Sequence, residues 1–211
     1  MSDYIVTDNL YLGATPGGVF YAVQSDEPEP GRQFIHQLLQ EDNTPVFSED
    51  VAARLSGLRR KRALELTHWL QEAGLIVGLE QQEAAPQDTL EQLLPRLLRP
   101  LSDEGRAILA ESRGLYLGSA GFLHEAAEEL AALSASLAGV YSRHRELLKG
   151  NLGYPQHAWG LIDTSGNSEI GFWPLYIGSS RFTLIIAGVP QLNQPVFRQL
   201  IWALERRYGT G

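Results

Sequence analysis

Gly118-Ser119-Ala120-Gly121 places a serine among glycines closely enough to invite a nucleophilic reading. A nucleophile elbow has a glycine two residues before the serine and another two after it, so that a sharp turn exposes the hydroxyl. Leu117 occupies the first of those positions, and the segment reads as a turn and cap region ahead of a helix. Gly13-Ala14-Thr15-Pro16-Gly17-Gly18 lacks the Lys-Ser/Thr ending with which a phosphate loop holds nucleotide phosphates and magnesium, and a hairpin turn is expected there. The five histidines, at positions 36, 68, 124, 144 and 157, show none of the short spacings of a zinc site, and no cysteine exists to join them. They are expected as surface or capping residues, His124 near a helix start and His157 in a loop. Asp163, before Thr164-Ser165-Gly166, is what a tight turn demands. No catalytic, cofactor-binding or metal-binding set emerges, and a non-enzyme without cofactors is expected.

The bulk properties agree. A chain of 211 residues forms one large or two small domains, and 44% hydrophobic with 20% charged residues excludes disorder of the whole. The absence of cysteine removes a disulfide-stapled fold and a thiol nucleophile. The start, Met1-Ser2-Asp3-Tyr4, has no basic run leading into an apolar one, and no stretch approaches a membrane span; a cytoplasmic protein without membrane association is expected. A net charge of −8 opposes long-range attraction to nucleic acid or anionic lipid, so nucleic acid is disfavoured as a partner unless a local basic patch overrides it.

Residues 81–87, a polar run with Pro86 and no apolar period, read as a linker between an N-terminal domain (1–80) and a C-terminal one (88–211). Before it, residues 9–13 and 19–24 read as the two arms of a hairpin. Phe34, Ile35, Leu38 and Leu39 recur at helical spacing in residues 32–40. Ser48 is placed to cap a second helix, with Glu49 and Asp50 in its first turn and Val51, Ala52 and Leu55 on its apolar face. A third helix, from residue 58 or 59 to 73, sets Ala63, Leu66, Trp69 and Leu70 on one side and stops at Gly74, before a strand over 75–79. Three helices and a strand in this order resemble a winged-helix domain. Arg59, Arg60, Lys61 and Arg62 open its third helix, the end from which phosphates and base edges are often reached.

In the second half, residues 107–110 and 115–118 form a pair of β-like runs, followed by a long helix over about 124–149. Runs around 158–162, 170–177 and 182–189 come next, joined by turn-forming links, and a helix over 195–208 closes the chain with Asn193 near its cap and Pro195 in its first turn. Ala126, Leu130, Leu133, Leu137, Val140 and Tyr141 are expected to turn the long helix toward the sheet or toward a second subunit. Ala127, Ala131, Ala132, Ser134, Ala135, Ala138 and Gly139 are small enough for another backbone to approach closely.

This order, ββαβββα, with Trp159 in the third strand and the very apolar Leu184-Ile185-Ile186-Ala187 in the fifth, resembles the roadblock/dynein-light-chain family over residues 88–209. The resemblance implies an α+β fold: a five-stranded antiparallel sheet sandwiched by helices. It also implies a dimeric platform, since such domains pair through the edge strand across a two-fold axis. Several bind Ras-like small GTPases, in bacteria as the partner of a gliding-motility GTPase and in eukaryotes within scaffolds. The dimer edge would be Trp159, Leu161 and Ile162, and a partner face is expected around Tyr141, Arg143 and Arg145. The leading expectation is a non-catalytic homodimeric regulator of a Ras-like GTPase, with the N-terminal half docking another protein. The alternatives are a DNA-binding regulator that uses Arg59, Arg60, Lys61 and Arg62, and a small-molecule sensor.

Overall fold

The computed structural model describes residues 9–154 and 157–210. A short strand, β1 (Tyr11–Ala14), leads directly into a helix, α1 (Pro16–Val23), where a hairpin was expected. Local groups cap the helix start, and the return of a later strand, Ile76–Leu79, beside β1 excludes the hairpin. Thr15 Oγ1 accepts a hydrogen bond from the Gly18 N–H at 3.0 Å, and Pro16 sits in the first helical turn, where its missing N–H costs nothing. Gly18 is needed for close packing, because a Cβ there would collide with the Leu75 backbone carbonyl.

Three further helices follow, α2 (Pro30–Leu39), α3 (Glu49–Ser56) and α4 (Arg60–Glu72), then β2 (Ile76–Leu79). Phe34, Ile35, Leu38 and Leu39 of α2 are buried, as their spacing predicts. Ser48 Oγ accepts from the Val51 N–H at 3.2 Å, and Gly57 ends α3 in the left-handed region at φ +67°. In α4, Ala63, Thr67 and Leu70 are buried but Trp69 is 47% exposed, off the inner face expected for it. Its ring instead meets the edge of Tyr21.

β1 pairs antiparallel with β2, from Tyr11↔Leu79 to Ala14↔Ile76. On β1's other side the Leu12 N–H donates to the Pro45 carbonyl and the Phe47 N–H to that of Leu10, both at 2.8 Å. Among the described residues no second strand follows β2 to make a wing. The chain instead returns along residues 42–44, where the Ala85 N–H donates to the Asp42 carbonyl and the Thr44 N–H to that of Glu83.

The C-terminal half begins with α5 (Leu90–Leu98), whose five leucines are buried, and a short 3-10 turn, Arg99–Leu101. Then come β3 (Ala107–Glu111), β4 (Tyr116–Ala120), α6 (His124–Arg145), β5 (Trp159–Ile162), β6 (Ser168–Ile177), β7 (Ser180–Ala187) and α7 (Pro195–Tyr208). The five-stranded sheet has the order β4-β3-β7-β6-β5, antiparallel throughout. Ser119 and Ala120 belong to β4, opposite Ile108 and Ala107, so the strand runs through the segment expected to turn, and Leu123 is the cap of α6.

Alternation along the strands builds two cores. Ile108, Ala110 and Ile185 face α6, whereas Ala107, Leu109, Leu184 and Ile186 face the opposite layer, where α1, α5 and α7 pack. This is the α+β sandwich that the resemblance implied. The inner face of α6 differs in part from the stripe expected: Tyr141 is buried as its spacing predicts, but so are Ala127, Ala131 and Ser134, while Leu130 and Leu137 lie at the margins and Leu133 is 44% exposed. Small side chains bring the helix close to the sheet and push the leucines outward. α7 is capped by Gln194 rather than Asn193, and residues 200–205 are all buried because both halves pack on it.

Gly18→Ala should cost about 2–4 kcal/mol of stability, since the obstacle is backbone rather than a movable side chain. Urea unfolding of the variant measures it. A loss of a few tenths would mean that residues 14–18 form an open turn.

Candidate protein-interaction site

β5 is one margin of the sheet; β4, the other, lies against α5. β5 pairs with β6 alone, Trp159 opposite Phe172 and Leu161 opposite Ile170, with the register slipping before Ile162. Its other backbone edge faces no described strand. Leu161 and Ile162 are 61% and 69% exposed, while the half-buried Trp159 packs into the core beneath α6. Such an edge offers unpaired N–H and C=O groups beside apolar side chains. The turn that follows consumes Asp163: its carboxylate accepts from the Ser165 and Asn167 backbone N–H groups at 2.8 and 2.9 Å. Those bonds, Asn167's foremost, hold its carboxyl below the usual range, as a structural turn residue requires.

The residues expected as a partner face divide, one being buried and two reaching solvent. Tyr141 is buried, its ring 4.5 Å from that of His157. Arg143 is exposed, and Arg145 reaches across to Glu27 at 3.1 Å. Tyr141 sits on the inner face of α6, where its helical spacing also placed it, and so is withdrawn from that surface.

Two histidines depart from the surface placement expected of them. His157 is 6% exposed, with Nδ1 3.1 Å from the Tyr176 hydroxyl. Burial pushes its basicity down, and burial likewise pushes the Tyr141 and Tyr176 hydroxyls up. His36 has Nδ1 2.5 Å from Glu205 Oε1 and Nε2 3.2 Å from the Ala22 carbonyl, and Glu205 is fully buried. These partners lie far apart in the chain, so spacing gave no sign of them. His124 does open α6, where Nδ1 meets the Tyr116 hydroxyl at 2.6 Å.

Arg59, Arg60, Lys61 and Arg62 are exposed at the start of α4, but Arg60 is tied to Asp50 of the neighbouring helix at 2.6 Å. Among the described residues no group of three or more His, Asp or Glu side chains is placed to hold a metal, and no helix is long and apolar enough to cross a membrane. A cleft of about 540 Å³ opens between the halves beside Arg32, His36, Gln40, Tyr176 and Arg181. Its walls are polar and open, unlike the apolar enclosure that small-molecule sites present.

No family model matches the chain, and no curated protein does. Among solved structures, a roadblock/LC7 domain from Streptomyces avermitilis is similar over 57% of this chain and 96% of its own, at 15% identity and a TM-score of 0.39. Myxococcus xanthus MglB is similar over 56% of this chain and 94% of its own, at 13% identity and a TM-score of 0.36. At these scores neither superposition carries the fold. The strand order and the helix layers do, and they make the C-terminal half a roadblock-like α+β sandwich.

Buried His157 makes stability depend on pH. Its ordinary value is 6.5, and in the folded protein it is lower, so below pH 6.5 the unfolded chain binds a proton that the folded one does not. Stability should fall as pH drops through 6.5 toward the lower folded value, and His157→Gln should flatten that part of the profile. Chemical denaturation across this range checks it; identical slopes for both proteins would remove His157 from the account.

Proposed function

We propose that this protein is a non-catalytic scaffold that pairs with a second copy of itself through β5 and offers the joined sheets and α6 helices to a Ras-like small GTPase. The N-terminal half, in this reading, docks a further protein. The observation that carries the proposal is the open margin of β5, with Leu161 and Ile162 in solvent. A free strand edge with apolar side chains invites uncontrolled association unless a defined partner covers it, and a two-fold axis supplies one from the same chain. Trp159 anchors the margin from beneath. The GTPase enters through the roadblock resemblance. The DNA-binding alternative has less support, because Arg60 is engaged by Asp50 and the cluster sits beside acidic side chains of α3.

Sedimentation equilibrium is expected to give a dimer that Leu161→Lys with Ile162→Lys converts to monomer without loss of helical circular dichroism. A native monomer at tens of micromolar would refute the pairing. Pull-down with a Ras-like GTPase in both nucleotide states is expected to favour one state. Absence of binding in both would refute the GTPase part while leaving the dimer standing.

A further inference from the structure

The loop between α1 and α2 carries Asp26, Glu27 and Glu29, and it lies against the C-terminal end of α6. Arg145 Nη2 stands 3.1 Å from Glu27 Oε1 and 3.7 Å from Asp26 Oδ1, and Lys149 pairs with the same Glu27 oxygen. Lys149, with Arg145 behind it, holds the Glu27 carboxyl below the usual range. Arg143 lines the same open groove and is exposed. In a chain of net charge −8, Arg143, Arg145 and Lys149 concentrate positive charge around the single acidic residue of that stretch, Glu146. At this point the helix widens into a π turn, Glu146–Asn151, and Leu147, Leu152 and Tyr154 are exposed beside it. Such widenings recur at functional sites.

We infer that the C-terminal end of α6 is a docking surface for an acidic peptide segment of a partner protein, and that the loop 25–29 is its built-in occupant. The loop itself displays the ligand chemistry: neighbouring carboxylates on irregular chain, meeting Arg145 and Lys149. Its hold is weak. The side chains of Asp26, Glu27, Arg145 and Lys149 are 50%, 49%, 42% and 34% exposed, so their attraction is screened by water and salt. Among the described residues no backbone hydrogen bond joins the loop to α6. A competing segment that brings the same carboxylates therefore replaces the loop without disturbing helix packing. The surface uses none of the β5 residues, so it stands or falls separately from the dimer.

The test uses the full chain and a fluorescein-labelled peptide with the sequence of residues 24–30, followed by anisotropy at low salt. Asp26→Asn with Glu27→Gln should tighten binding of the probe about fivefold, as expected from freeing a few exposed ion pairs. Adding Arg145→Gln and Lys149→Gln should abolish it. In the native protein, saturating peptide should speed hydrogen exchange at the amides of residues 25–29, a readout that needs no variant to fold. Equal affinity of native and loop-neutralised proteins, or unchanged loop exchange under saturation, would overturn the proposal. Duplex DNA that binds as tightly, with the same dependence on Arg145 and Lys149, would overturn the assignment to a peptide.

Discussion

A carboxyl group with no access to solvent joins the two halves of this chain. Glu205 lies in the last turns of α7, a helix that both halves cover, and a polar group in such a place is tolerated only when partners replace its water. His36 and Gln40, both from the N-terminal half, supply them at 2.5 and 3.3 Å. The same seam holds the Trp202 indole N–H on the Glu41 carbonyl, Arg206 on Asp42, and Arg198 on Glu83. One apolar core runs continuously from α1 and α2 through α7 into the sheet. Removing either half would expose Glu205 or strip it of its partners, so α7 serves as the spine of both.

That arrangement decides which surfaces are left for other molecules. α1, α5 and α7 close one face of the sheet and α6 closes the other. Among the described residues β5 keeps one backbone edge open beside those layers. Several groups whose chemistry stands out in the sequence are held in structural contacts: Ser119 in a strand pair, Asp163 in its turn, His36 against Glu205 and His157 against Tyr176.

Much of the architecture was legible from local pattern. α2, the Ser48 cap of α3, the five strands and α7 follow from periodicity and from capping residues that act within one turn. Two helices were not legible. Thr15-Pro16-Gly17-Gly18 suits a turn as well as a helix start, and the choice was made by β2, which returns to pair with β1 and leaves room only for a glycine beside Leu75. α5 carries leucines at helical spacing but also Pro95, a residue that argues against a helix interior. The candidate site was legible only in part. Leu161 and Ile162 lie on the margin expected for them, whereas Tyr141 lies on the inner face of α6.

By itself, then, the sequence determined most of the helices and strands and their order, α1 and α5 excepted, because propensity, capping and hydrophobic period act over a few neighbouring residues. Only the tertiary structure decided which face of α6 is inner, that Trp159 packs beneath α6 while Leu161 and Ile162 stay in solvent, and that His36 meets Glu205 across 169 positions. Those outcomes depend on what arrives from elsewhere in the chain to exclude water, and no local spacing encodes it.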